Sequence, residues 1–264
     1  MKVRLIASDL DGTLFGSDHV PEPRTVAAVN ALVDTGVVFA AVTGRSYFGG
    51  AERVTGAGVN ADWFIGSNGG HRLNLQTNTL EERLVFSEAQ ITEIQAALSR
   101  ELGDVGVSFE HTSGFSYNAA FVRTFPLTFD GQPRTNSAVP FASNDIGKIF
   151  VTHPDLTNHE LIAATKPVVP AGTQVTTSGI SFVEFTPEGA DKGSALARLC
   201  ELLSIGADEV IAFGDNDNDL TMLDWAGRGI AMANASANVL AAGHETTGTN
   251  SDFGVAAILE ALVS

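Results

Sequence analysis

Asp9 and Asp11 stand two residues apart where an apolar run gives way to the turn-rich segment Asp9-Leu10-Asp11-Gly12-Thr13. On an unbroken strand the two side chains would point to opposite faces, but a turn at Gly12 can bring them to one place. A pair of carboxylates so placed can divide a reaction, one attacking a phosphorus atom while the other supplies and removes protons. A second acidic segment, Gly214-Asp215-Asn216-Asp217-Asn218-Asp219, packs three carboxylates directly behind another apolar run. Their mutual repulsion calls for a cation or for hydrogen bonds, and a hard, oxygen-ligated cation is the natural counterpart. The loop lacks the glutamate that closes an EF-hand, and its strand-to-helix context is also wrong for a calcium hand. Thr43 can hydrogen-bond a phosphate oxygen. Lys192, one of only four lysines with Lys2, Lys148 and Lys166, is a countercharge to phosphate at a helix start.

These residues need elements that bring them together. Val3 to Ser8 reads as a short buried strand, followed by a helix with Pro23 near its start, apolar Val26, Val29, Leu32 and Val33 on one face, and Gly36 just past its end. Strands are expected at Val37 to Val42, Trp63 to Ile65, Val210 to Phe213 and Ile230 to Ala231, with a helix at Lys192 to Leu203. Strands alternating with helices indicate a parallel α/β sheet, and every polar loop named above follows the carboxyl end of a strand, where such sheets bind ligands. Between the halves the texture changes. A helix from Glu88 to Leu102 precedes short β-like runs at Val107 to Phe109, Ile149 to Val151 and Phe182 to Phe185, with a helix at Asn158 to Ala164. This stretch reads as an inserted α+β domain.

Composition narrows the class. The 264 residues carry 31 acidic and 15 basic side chains, a net charge of −16, which repels nucleic acid and anionic membranes. An acidic protein then holds phosphate through local cations, backbone N–H groups and a bound metal. No signal peptide and no bilayer-length apolar segment is read, so a soluble chain is expected. Cys200, the sole cysteine, sits among Leu196, Leu199 and Leu203 at helical spacing and reads as a buried structural thiol; a chain that can form no internal disulfide suits a reducing cytoplasm.

Taken together, DLDGTL at 9–14, VTGR at 42–45, SNGG at 67–70, DKG at 191–193 and GDNDNDLTM at 214–222 resemble the haloacid dehalogenase superfamily, and within it the Cof-type sugar-phosphate phosphatases. MANA at 232–235 and TNSDFGVA at 249–256 are similar to that pattern too. The resemblance implies a Rossmann-like parallel-sheet core over residues 1–82 and 187–264, with an α+β cap inserted at 83–186 that selects the substrate. It implies Asp9 as nucleophile, Asp11 as general acid and base, and Thr43, Gly44, Lys192 and Asn218 around the phosphate. It implies Mg²⁺ held by Asp9, Asp215 and the backbone carbonyl of Asp11, with Asp219 in support. The expected substrate is a small phosphorylated metabolite, a sugar phosphate first and a phosphorylated cofactor second, with no nucleic acid or membrane as partner and a monomer or weak homodimer as the assembly. His111, Arg123, Arg134 and Lys148 are candidates for the leaving group. Two rival readings are a phosphomutase of the same superfamily and a non-catalytic phospho-ligand sensor; the Asp11 proton shuttle speaks against the sensor.

Overall fold

A computed structural model describes residues 2–112, 114–125, 145–177 and 182–263. The first half supplies strands β1 (Leu5–Ser8), β2 (Val38–Val42), β3 (Trp63–Gly66), β4 (His71–Asn74) and β5 (Thr79–Arg83), with helices α1 (Pro23–Val33) and α2 (Tyr47–Gly56). The middle supplies β6 (Gly106–His111), β7 (Gly114–Tyr117), β8 (Lys148–Thr152), β9 (Thr173–Thr176) and β10 (Val183–Pro187), with α3 (Glu88–Leu102), α4 (Ala119–Thr124) and α5 (Asn158–Thr165). The last part supplies β11 (Val210–Gly214), β12 (Arg228–Ala231) and β13 (Glu245–Thr246), with α6 (Lys192–Leu203), α7 (Leu220–Trp225), α8 (Ala237–Ala241) and α9 (Gly254–Val263).

Among the described residues these strands form two sheets. The larger has eight strands in the order β13-β12-β11-β1-β2-β3-β4-β5. It is parallel from β13 through β3, as expected, and is extended at one edge by β4 and β5, which run antiparallel as a hairpin. Chain order leaves β1 toward β2 on one side and β11 on the other, so β1 lies at the switch in strand order where open sheets bind their ligands. Strand alternation sends Ile6, Phe39, Phe64, Ile211 and Phe213 to a core shared with α1 and α9. Leu5, Ala7, Val42, Val210 and Ala212 go to the other face, against α6 and α7. Burial on both faces explains why β1, β2 and β11 read as near-continuous apolar runs.

The smaller sheet, in the order β7-β6-β8-β10-β9, is antiparallel throughout. One face packs Val107, Phe109, Ile149, Val151, Val183 and Phe185 against Ile91, Ile94 and Leu98 of α3 and Leu161 of α5. The alternate positions, Glu110, Lys148 and Glu184, project from the opposite face and are buried to 0%, 0% and 1% exposure. Helix α3 begins on a reciprocal cap in which Ser87 Oγ accepts from Gln90 N–H and the Gln90 side chain accepts from Ser87 N–H. No helix among the described residues is long and apolar enough to cross a membrane. Cys200 is buried at 1% exposure in α6, and burial pushes its thiol up to about 12, as a structural role requires.

Candidate active site

Asp9 follows β1 and remains tied to the sheet, its N–H donating to Phe213 O at 3.0 Å. The chain then turns through Gly12, whose φ of +89° suits glycine alone, and a Cβ there would sit 2.4 Å from Asp215 Oδ2. The absence of that carbon lets the loops after β1 and β11 close on each other. Thr13 completes the approach, its hydroxyl donating to Asp215 Oδ1 at 2.6 Å.

Lys192 enters from the first turn of α6. That helix is started by Asp191, whose Oδ1 accepts the Ser194 N–H at 2.9 Å. Buried to 1% exposure, Lys192 Nζ donates to Asp9 Oδ1 at 2.6 Å and to Asp219 Oδ1 at 2.5 Å. The other oxygen of Asp219 accepts the N–H groups of Asp215 and Asn216, both at 2.9 Å. Asp219 is thus a bracket that holds the lysine and its own loop. The three carboxylates of the acidic segment separate in role: Asp217 leaves for Ser236 Oγ and Asn238 Nδ2, while Asp9, Asp215 and Asp219 cluster with oxygens within 4.8 Å of one another.

The electrostatics follow from that crowding. Burial pushes Asp9 well up; Lys192 opposes the shift, and the charges of Asp219 and Asp215 add to it. Burial likewise carries Asp215 up to about 6 against the Thr13 hydrogen bond, with Asp219 adding to the rise. Lys192 is also buried, but the charges of Asp219 and Asp9 outweigh burial and raise it, so it stays protonated. One ammonium among three carboxylates, those of Asp9 and Asp219 buried and that of Asp215 half-buried, leaves negative charge in excess, and the donor set is all oxygen. Asp9 and Asp215 therefore fit a hard divalent cation.

Asp11 goes elsewhere in this structure. Its two oxygens form a fork with Arg45, from Nε and Nη2 at 2.6 Å each, and His19 Nδ1 lies 2.8 Å away. Burial raises the Asp11 carboxyl, but the hydrogen bonds and charge of Arg45 and the His19 contact hold it below the ordinary value. Asp9 and Asp11 are thus served by different cations, Lys192 and Arg45. Thr43 is buried after β2, its Oγ1 accepting the Arg45 N–H at 3.1 Å and its carbonyl accepting the Asn68 N–H at 3.0 Å. Asn218 donates from Nδ2 to Asn68 Oδ1 at 3.0 Å.

Asn68, Arg45, His19 and Thr13 were not among the expected site residues. The signal for three of them lay in the motifs SNGG, VTGR and DLDGTL, whose named members drew the attention. The four leaving-group candidates fare differently. Lys148 is fully buried and pairs with Glu184 Oε1 at 2.6 Å; His111 is buried against Ser116 Oγ at 2.8 Å; Arg123 pairs with exposed Asp104; Arg134 lies outside the described residues. A cavity of about 410 Å³ lies instead between β9 and Lys192 of α6 with the strand-end segments that carry Asn68 and Asn218. Thr173, Gln174, Thr176 and Lys166 line its far wall.

A parallel sheet whose strand-end loops gather carboxylates around a buried lysine, beside a second antiparallel sheet, is an α/β architecture whose site suits a phosphoryl group and a hard cation. Residues 6–259 match the family described as haloacid dehalogenase-like hydrolase, and the chain belongs to that family. It is similar to YxeH of Bacillus subtilis (32% identical over 273 residues, 98% of each chain) and to the HMP-PP phosphatase of Yersinia enterocolitica (28% over 235 residues, 88% of this chain and 84% of that one). Its fold superposes on the HAD subclass IIB sugar phosphatase BT4131 with a TM-score of 0.82 at 19% identity, over 98% of this chain and 99% of that one.

Proposed function

We propose that this hydrolase is a Mg²⁺-dependent phosphatase that cleaves a small phosphorylated metabolite, a sugar phosphate, through an aspartyl phosphate on Asp9. The observation that carries the reading is the placement of Asp9: buried at the end of β1, held at 2.6 Å by Lys192, and facing Asp215 across the Gly12 turn. Asp9 attacks phosphorus as the bond to the leaving oxygen breaks, and water then releases phosphate from the acyl phosphate. Lys192, the Thr43 hydroxyl, Gly44 and Asn218 hold the phosphoryl oxygens, on which negative charge is spread in the transition state. Asp11 protonates the leaving alcohol and afterwards takes a proton from the attacking water. To do so it must leave the Arg45 fork, since in the paired state it is a base and not an acid. Asp9, Asp215 and the backbone carbonyl of Asp11 would hold Mg²⁺, with Asp219 supporting the group through Lys192. There the ion would neutralise charge between an anionic nucleophile and an anionic phosphate.

We assign residues 83–186 to a cap over the core of residues 1–82 and 187–264. The hydroxyl and amide side chains of Thr173, Gln174, Thr176, Asn68 and Asn218 on the cavity wall suit a polyhydroxylated leaving group, and the structural likeness to a sugar phosphatase supports that class. The test is phosphate release from p-nitrophenyl phosphate and a panel of sugar phosphates, with and without EDTA, for the natural chain and for Asp9→Asn. Metal-dependent turnover that Asp9→Asn abolishes, with a phosphoryl group mapped to Asp9 in the acid-quenched natural chain, is the expected result. Turnover by a folded Asp9→Asn protein refutes the assignment. Formation of an isomeric sugar phosphate in place of free phosphate would make it a mutase.

A further inference from the structure

Lys148 begins β8 on the face of the smaller sheet turned away from α3 and α5, beside Glu110 of β6 in the strand register. A lysine at 0% exposure needs a partner for each of its three donors. Nζ meets Glu184 Oε1 at 2.6 Å, lies 5.1 Å from the centre of the Phe150 ring, and donates to the carbonyl oxygen of Gly44 at 3.1 Å. That last contact crosses from the smaller sheet to the turn that follows β2.

The Gly44 carbonyl belongs to the same planar peptide as the Arg45 N–H, and the two groups point in opposite directions. Fixing the carbonyl therefore fixes the N–H, which donates to Thr43 Oγ1 at 3.1 Å. A threonine hydroxyl has one donor and two acceptor lone pairs. With an acceptor position filled by Arg45, the hydroxyl proton of Thr43 is directed away from its own turn. Glu184 holds a second arm as well: its Oε2 accepts from Asn68 Nδ2 at 2.7 Å, and Asn68 Oδ1 accepts from Asn218 Nδ2 at 3.0 Å. Asn68 occupies the left-handed region with φ +57°, next to Ser67 at φ +51°. Hydrogen bonds from their N–H groups to the carbonyls of Thr43 (3.0 Å) and Arg45 (2.7 Å), together with Ser67 Oγ to Glu110 Oε1 at 2.6 Å, hold that uncommon backbone.

We propose that Lys148 and Glu184 are positioning residues for the phosphate site. Through the Gly44–Arg45 peptide Lys148 aims the Thr43 hydroxyl at a phosphoryl oxygen, and through Asn68 Glu184 sets the Asn218 amide. The inference rests on the reading above that Thr43 binds phosphate. Neither residue touches substrate; each ties a strand of the smaller sheet to a loop of the larger one.

The test is a double-mutant cycle of Lys148→Met and Thr43→Val, read as kcat/KM on p-nitrophenyl phosphate with saturating Mg²⁺ and as the inhibition constant of orthophosphate. A hydrogen bond involving a charged group implies that Lys148→Met lowers kcat/KM about ten- to a hundredfold, with orthophosphate inhibition weakened in parallel. In the Thr43→Val background the same change is expected to do little more, and Lys148→Arg to restore part of the loss. Glu184→Gln, nearly isosteric but without the charge that Lys148 and Asn68 meet, is paired with Asn218→Ala as a second cycle should Lys148→Met fail to fold, and non-additivity is again expected, at smaller size. If Thr43→Val is costly and the second substitution costs its full factor again, Lys148 does not act through Thr43 and the inference fails. If Thr43→Val alone leaves both readouts unchanged, the phosphate role of Thr43 falls and the inference falls with it.

Discussion

His71 makes stability depend on pH in a way that can be worked from its surroundings. It lies in β4 at 1% exposure, with its ring centre 5.8 Å from that of Phe64. Burial, reinforced by the charges of Arg83 and Lys148, pushes the imidazole from 6.5 down to about 3. The folded state therefore keeps it neutral where the unfolded chain takes up a proton. A depressed folded value means that stability is intact above about 6.5 and is lost as the pH falls from there toward 3. At about 1.4 kcal/mol per unit, the 1.5 units between 6.5 and pH 5 amount to roughly 2 kcal/mol. His71→Gln cannot take up that proton. Urea unfolding of both proteins at pH 7 and pH 5 isolates this group, because every other titrating residue is common to the pair. The loss between the two pH values should be smaller by about 2 kcal/mol in His71→Gln, whatever the substitution costs at pH 7. Equal losses in the two proteins would show that His71 is protonated in the folded state and that its burial has been misread.

Other substitutions probe the site. Gly12→Ala places a Cβ 2.4 Å from Asp215 Oδ2 on a backbone with φ +89°, so Asp215 must move; the Mg²⁺ concentration for half-maximal rate should rise about tenfold or more, and an unchanged metal requirement would refute the placement of the ion. Asp11→Asn should remove most activity while the Mg²⁺ requirement persists, because the Asp11 carboxylate faces Arg45 and His19 rather than the Asp9–Asp215 pair. Collapse of metal affinity with a normal rate at saturating metal would reverse that role. Asp9→Asn should fold with no loss in melting temperature, since it removes one of three crowded carboxylates and Lys192 keeps Asp219; a large drop in melting temperature would mean that the Lys192 pair is needed for folding.

The elements most legible in the sequence were those with local punctuation. Helix α3, with its Ser87 cap, and α6, opened by Asp191, span the residues expected of them. The buried strands β1, β2, β3 and β11 were within a residue or two of their expected limits, because burial on both faces writes a plain apolar run. The β4–β5 hairpin was not read. Thr79–Arg83 is a half-exposed edge strand with three charged residues, which carries neither an apolar run nor a clean alternation. Lys148 shows the harder limit. Its neighbours marked a strand, but the partners that bury it, Glu184 and the Gly44 carbonyl, are remote in the chain, and a lone lysine in sequence reads as solvated. The pairing of Asp11 with Arg45 escaped for the same reason, although both residues stood in motifs already singled out.

The burial of Cys200 gives the molecule a built-in probe. Two turns before it on α6 stands Lys192, and the thiol at 1% exposure, pushed up to about 12, is hidden from any alkylating reagent while that helix stays docked on the sheet. As the sole cysteine in the chain, it gives a labelling signal with no background from other thiols. The rate at which a maleimide reaches it under native conditions therefore measures how often the lysine-bearing helix comes away from its bed. A phosphate analogue that engages Lys192 can then be followed by the slowing of a covalent reaction two helical turns away, without any label being introduced by mutation.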